Sequence, residues 1–220
     1  AFNLAERFRT PVVLLADEVL AHLYETVSIQ PTVWQVDRVR RPIDCPFGTD
    51  AEDGAPPMPA FGEGAHLLVT GSTHDARGFR RTTDGPTQER LTRRLARKLL
   101  ARQNEIDDWE GHYLEGAERL VIAYGSAARS ALWAVREARR HGQAVGMLRL
   151  RSLWPFPDRV VGEWAAGRAE IIVPEMNLGQ MAREVSRCAG RPATALTQTD
   201  GELIDPRRIL GYLQHGSWER

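Results

Sequence analysis

The chain has 220 residues, with 29 Lys plus Arg balanced by 29 Asp plus Glu. That length suits one large or two small domains with room for a real core, and the zero net charge argues against a general nucleic-acid or membrane-surface binder. Cys45 and Cys188 lie far apart and outside any metal-ligand spacing, so neither a disulfide scaffold nor a zinc or iron–sulfur site carried by this chain alone is indicated.

The opening Ala1–Phe8 places Leu4, Ala5 and Phe8 on one helical stripe, with no capping residue before it. Pro11 ends that pattern, and Val12-Val13-Leu14-Leu15-Ala16 runs apolar on both faces. This suits a strand buried inside a parallel sheet. A second helical pattern runs from Glu18 to Val27. One strand between two helices cannot bury itself, so the chain is expected to begin within a domain completed upstream or by a partner.

From Gln30 to His66 the periodicities fade. A short strand is expected at Val33–Val39, followed by Pro42, Pro46, Pro56, Pro57 and Pro59 interleaved with Gly48, Gly54, Gly62 and Gly64. So long a connection reads as a crossing segment. A short strand is expected at His66–Gly71 and a polar loop at Ser72–Gly78. Thr87–Gln103 is expected to be a helix, with Leu91, Leu95 and Leu99 at i+4 spacing. Arg90, Arg93, Arg94, Arg97, Lys98 and Arg102 should form its solvated or partner-facing side.

From Arg119 the order becomes regular. Strands are expected at Leu120–Gly125, Ala144–Leu150, Glu170–Pro174 and Ala193–Gln198. Helices follow them: one capped by Ser126 and running to about His141, then Asp158–Ala166, Gly179–Cys188 and Asp205-Pro206 through Leu213. Fourfold strand–helix alternation predicts a three-layer, mainly parallel α/β domain. Its strand exits should share one edge: Gly125-Ser126, Ser152-Leu153-Trp154, Glu175-Met176-Asn177 and Thr199–Glu202.

The run Ile171-Ile172-Val173-Pro174-Glu175-Met176-Asn177-Leu178-Gly179-Gln180 holds the densest polar cluster at such an exit. Ligands and partners of open α/β sheets sit there. Gly125, Ser126, Glu175, Asn177 and Gln180 are therefore candidate substrate- or interface-binding residues, and the Gly125-Ser126 turn offers amide groups to an anion. The alternative is structural: Asn177 capping the next helix and Glu175 solvating the turn. His74, beside Asp75, is a further candidate, set against an ordinary loop histidine. There is no G-x-G-x-x-G, Walker lysine, G-x-S-x-G or H-E-x-x-H. No catalytic residue and no metal ligand is assigned, and the chain reads as a component shaping a site completed elsewhere.

Several motifs, taken together, resemble one family. Ala1-Phe2-Asn3-Leu4-Ala5-Glu6-Arg7-Phe8-Arg9-Thr10-Pro11-Val12, with Leu15-Ala16-Asp17-Glu18 and His22, looks like the last βα unit of the pyrimidine-type domain in 2-oxoacid:ferredoxin oxidoreductase alpha subunits. Val69-Thr70-Gly71-Ser72-Thr73-His74-Asp75-Ala76-Arg77-Gly78, Ala123-Tyr124-Gly125-Ser126, Leu153-Trp154-Pro155-Phe156-Pro157, Val173–Gln180 and Asp200-Gly201-Glu202-Leu203-Ile204 follow in that family's order. The resemblance covers essentially the whole chain and is nearest the 2-oxoglutarate and branched-chain types.

It implies the end of a thiamine pyrimidine-type domain over 1–29, a crossing segment over 30–115 and a transketolase C-terminal-like domain over 116–220. It further implies oxidative decarboxylation of a 2-oxoacid, with CoA taking the acyl group and ferredoxin the electrons. Thiamine diphosphate and Mg2+ would be held mainly by a beta subunit, and iron–sulfur clusters by partner chains. Beta, gamma and delta subunits are the expected partners, with neither nucleic acid nor membrane. A cytoplasmic protein is expected, since no apolar run approaches the ~18 residues of a membrane span and no leader is visible. Two other readings stay open: a free-standing α/β ligand-binding or regulatory module, and a thiamine-dependent dehydrogenase that passes its acyl group to lipoyl lysines.

Overall fold

A computed structural model describes residues 1–38, 40, 44–48 and 54–218. Contacts divide the chain into two units, one of Ala1–Leu15 with Val19–Ile106 and one of Ala16–Glu18 with Asp107–Arg220.

The second unit is built on a five-stranded sheet. The strands are β1 (Trp109–His112), β2 (Arg119–Tyr124), β3 (Val145–Leu150), β4 (Glu170–Glu175) and β5 (Thr194–Thr197), in the order β1-β3-β2-β4-β5. The last four are mutually parallel, as the strand–helix alternation predicts, and each expected strand lies within a residue or two of its place. β1 is the addition. It pairs antiparallel with β3, Trp109 opposite Leu150. Four residues with a glycine among them leave too short an alternation to read as a strand.

Strand alternation divides the core. Val121, Ala123, Val145, Met147, Ile172 and Leu196 face one way, toward α4 (Gly125–Arg140) and α7 (Pro206–His215). Leu120, Ile122, Leu148, Leu150, Ile171 and Val173 face the other, toward α5 (Asp158–Ala165) and α6 (Gln180–Ala189). α4 buries Ala127, Ala131, Ala134 and Ala138, small side chains that let the helix lie close to the sheet. The result is a three-layer sandwich with four strand exits on one edge.

The first unit has a small core. Phe8 of α1 (Phe2–Phe8) meets Leu99 of α3 (Gly85–Leu100) and Ile106, with Leu4 against them. α3 is capped by Asp84, whose carboxylate accepts from Thr87 N at 3.2 Å. Its buried side differs from the expected leucine stripe. Thr87 and Lys98 are buried and Arg94 partly so, while Leu95 and Leu100 are exposed. The cause is a local acceptor: Lys98 Nζ donates to the Arg9 carbonyl at the end of α1 over 2.9 Å.

Three expected strands are absent from this unit. His66–Gly71 has no ladder, and the expected strand at Val33–Val39 is irregular where described; Val39 and Pro42 lie outside the described residues. Val12–Ala16 is extended but pairs with no strand among the described residues, leaving Val13 77 %, Leu14 81 % and Leu15 75 % exposed. The helix after it, α2, covers only Glu18–His22. An apolar strand with both edges open is a template for association. The isolated 220-residue chain is therefore expected to self-associate, and Val13→Ser with Leu15→Ser to reduce it, as read by size-exclusion chromatography with light scattering. A wild-type chain that stays monomeric at high concentration contradicts this.

Candidate functional site at the carboxyl edge of the sheet

β2 is followed by β3 on one side of it and β4 lies on the other, so the chain reverses its direction of winding between β2 and β4. The crevice at such a reversal is where open α/β sheets place ligands. The β2–β4 ladder runs only from Arg119–Glu170 to Val121–Ile172. Beyond it lie Tyr124-Gly125-Ser126 and Glu175-Met176-Asn177.

Glu175 is 0 % exposed. It does not solvate the turn. Its Oε1 accepts from Ala182 N and its Oε2 from Met181 N, both at 3.0 Å. Those amides belong to the first turn of α6, where a negative charge is also favoured by the helix dipole. Tyr124 Oη donates to Glu175 Oε2 over a long 3.4 Å and accepts from Asn177 Nδ2 at 2.7 Å. Burial, then the neighbouring Glu175 charge, push the Tyr124 phenol up to about 12, against the opposing Asn177 hydrogen bond. Asn177 Oδ1 accepts from Gly179 N at 2.8 Å and Gln180 N at 3.1 Å, bracing the turn into α6 alongside its tie to Tyr124; the N-cap of α6 is Gly179, without a side-chain cap bond, so Asn177 shapes the turn instead of capping the helix. Gly179 sits at φ +87, a left-handed position in which a side chain would be strained.

Ser126 does not cap α4. The N-cap is Tyr124, with no side-chain cap bond, and Ser126 Oγ instead donates to Met176 Sδ at 3.5 Å. The cap comes from far away in sequence: Asp17 Oδ2 accepts from Ser126 N at 2.8 Å. Gly125 stands at φ +54, and a Cβ there would meet that oxygen at 3.1 Å. The anion-friendly turn exists, and the chain's own carboxylate fills it.

Gly125, Ser126, Glu175 and Asn177 thus come together. Gln180 is exposed and joins only through its backbone amide. His74 belongs to the other unit, where Nδ1 lies 2.8 Å from the Ser72 carbonyl and the ring meets Phe47 edge-on at 4.7 Å. Asp75 binds the Arg77 and Phe79 amides and Arg81 instead of pairing with that histidine. Arg149 and Arg151 are engaged by Glu110 and Asp108. Sequence reasoning missed Tyr124 and Asp17 as members of the cluster. For Tyr124 the signal was available, since it shares the sheet face of Ile122 and lies beside the strand that ends in Glu175.

Two family descriptions match in tandem: "Pyruvate flavodoxin/ferredoxin oxidoreductase, thiamine diP-bdg" over residues 1–94 and "Pyruvate:ferredoxin oxidoreductase core domain II" over 117–209. The 2-oxoglutarate synthase subunit KorA of Methanothermobacter thermautotrophicus is 38 % identical over 97 % of this chain and 58 % of its own length. The chain belongs to the 2-oxoacid:ferredoxin oxidoreductase alpha-subunit family. The ketoisovalerate oxidoreductase subunit VorB of Methanothermobacter marburgensis, another relative, is 30 % identical over 96 % of this chain and 53 % of its own. This alpha-subunit chain therefore spans little more than half the length of the curated relatives it matches. Its fold is similar to that of the 2-oxoglutarate:ferredoxin oxidoreductase from Magnetococcus marinus, a structure with 2-oxoglutarate, coenzyme A and succinyl-CoA bound. The TM-score is 0.86 at 23 % identity, over 96 % of this chain and 38 % of that one.

Among the described residues no group of three His, Cys, Asp or Glu could hold a metal ion. The two helix N-termini at the crevice are occupied by Asp17 and Glu175.

Two outcomes are expected of this cluster. Glu175→Leu leaves two amides of α6 without acceptors and should cost about 2–4 kcal/mol in denaturant unfolding, against roughly 1 kcal/mol for Tyr124→Phe. Equal effects would show that the carboxylate is not what holds the crevice. The raised Tyr124 value also makes stability pH-dependent. Its contribution is fully present below the free tyrosine value near 10 and is lost as pH rises through about 12. Tyr124→Phe should flatten that alkaline limb of the stability curve; an unchanged limb places the titration elsewhere.

Proposed function

We propose that this chain is the interface-forming and site-shaping part of an alpha subunit of a 2-oxoacid:ferredoxin oxidoreductase acting on 2-oxoglutarate. The assembled enzyme would oxidatively decarboxylate that acid with CoA to succinyl-CoA, CO2 and reduced ferredoxin. The 38 % identity to a 2-oxoglutarate synthase subunit over nearly the whole chain carries the substrate choice. The relatives' description as subunits supports partner chains; a beta subunit would hold most of the thiamine diphosphate and Mg2+, and gamma and delta subunits or equivalent domains would complete the enzyme. A cytoplasmic location fits such an enzyme, and among the described residues no helix is long and apolar enough to cross a membrane.

Within that enzyme the residues of the crevice position rather than transfer protons. Glu175 has both oxygens committed to α6 amides, and Tyr124 holds its proton at all physiological pH values. Around them the carboxyl edge presents exposed Trp154, Leu178 and Leu203, which follow β3, β4 and β5 respectively. An apolar rim around a rigid polar centre suits a surface buried by another subunit or domain. His74 contributes to this reading as a loop-shaping residue of the first unit, through its bond to Ser72.

The assembled complex, assayed with 2-oxoglutarate, 2-oxoisovalerate and pyruvate, should show its highest kcat/KM for 2-oxoglutarate; preference for either other acid sinks the assignment. In the same assay Glu175→Gln should alter assembly or KM before kcat. Loss of turnover with assembly and KM intact would make Glu175 catalytic.

A further inference from the structure

Arg9, Arg94 and Lys98 of the first unit gather positive charge with no carboxylate bonded to them among the described residues. Arg9 follows α1 in a left-handed conformation, φ 45 and ψ 59. Its guanidinium donates to the carbonyls of Pro46 and Pro56 and lies 4.9 Å over the Phe47 ring. Lys98 is only 3 % exposed, and among the described residues its ammonium bonds to the Arg9 carbonyl alone. Arg94 precedes Lys98 by one helical turn and is partly buried on the same side of α3. Lysine is almost never this buried unless paired with an opposite charge. Yet among the described residues no carboxylate bonds to Arg9, Arg94 or Lys98; the nearby Arg38 is already held by Glu6 at 2.7 Å.

We propose that Arg9, Arg94 and Lys98 form a cradle for a phosphate-type oxyanion, reached from the partly exposed Arg9 and Arg94 side. Carbonyl oxygens satisfy some of these donors but carry no full charge, so the cluster repels itself until an anion arrives. A doubly charged tetrahedral oxyanion answers two forked guanidinia and a deeper ammonium better than a carboxylate does, because it offers acceptors in all three directions. Mutual repulsion adds to burial in weakening the hold of these cations on their protons. Burial, then Arg94 and Arg9, lower the Lys98 ammonium to about 8; burial, then Arg38 and Arg94, bring Arg9 to about 10. Among the described residues Arg9 after α1 and Arg94 on α3 are the charges that act on Lys98, and Arg38, held by Glu6, acts on Arg9. Anion binding should thus raise Lys98 and draw in a proton.

The test is titration calorimetry of inorganic phosphate into the full-length subunit within its assembled enzyme, at low salt and near pH 8, in two buffers of different ionisation enthalpy. Saturable binding with proton uptake is expected. Arg94→Gln, at the rim, should weaken it roughly tenfold, and Lys98→Met should abolish the proton uptake. Arg159→Gln, which removes only an exposed pair with Glu163, should leave it unchanged. Displacement of phosphate by CoA but not by dephospho-CoA would identify a terminal phosphomonoester as the source. Displacement by both would identify a diphosphate, and by neither, free phosphate. The proposal is overturned by no saturable binding or by binding that ignores Arg94→Gln. Turnover is not read here, so failure of this site leaves the proposed function standing.

Discussion

A single buried carboxylate organises the crevice of the second unit. Taking Glu175 wholly out of water carries a penalty of several kcal/mol unless charge-assisted hydrogen bonds replace its hydration. Here two α6 amides, a phenol and a helix N-terminus do so. Those bonds fix where α6 begins, hold Tyr124 at the end of β2, and through Tyr124 fix the side chain of Asn177, whose own oxygen shapes the Gly179 turn. Remove the charge and the strand end, the turn and the helix start lose their common anchor.

The same device appears at α4, supplied from another part of the chain. Asp17 reaches Ser126 N from a segment more than a hundred residues away, the separation being 109. Two neighbouring helix N-termini, both suited to a ligand's anionic group by their dipoles, are therefore closed by internal carboxylates. This turns a potential anion site into rigid scaffold, with Trp154, Leu178 and Leu203 exposed at the same edge.

The first unit has the opposite character. Among the described residues its core cluster is three buried side chains, its apolar Val12–Leu15 stretch pairs with no strand, and its densest charge is positive and uncompensated. An unpaired strand leaves backbone donors and acceptors to solvent while exposing apolar side chains. Such a unit gains most from ordered neighbours, whereas the second unit has a sheet covered on both faces.

Strand–helix alternation from Arg119 onward determined the three-layer sheet, because a buried parallel strand must be apolar on both faces and each crossover needs a helix. The polar run at Glu175–Gln180 marked the crevice for the same reason, since nothing in a core requires Glu and Asn there. Strand periodicity even placed Tyr124 and Glu175 on one face. What the sequence could not determine were contacts made across long separations. Asp17 as the cap of α4 rests on a pairing over 109 residues, and β1 rests on β3 lying ready beside it. The buried side of α3 was likewise decided by a carbonyl at the end of α1, which drew Lys98 inward and left Leu95 and Leu100 outside. Val12–Ala16 shows the converse: its composition specifies a buried strand, and without neighbouring strands to supply hydrogen bonds it remains only extended chain.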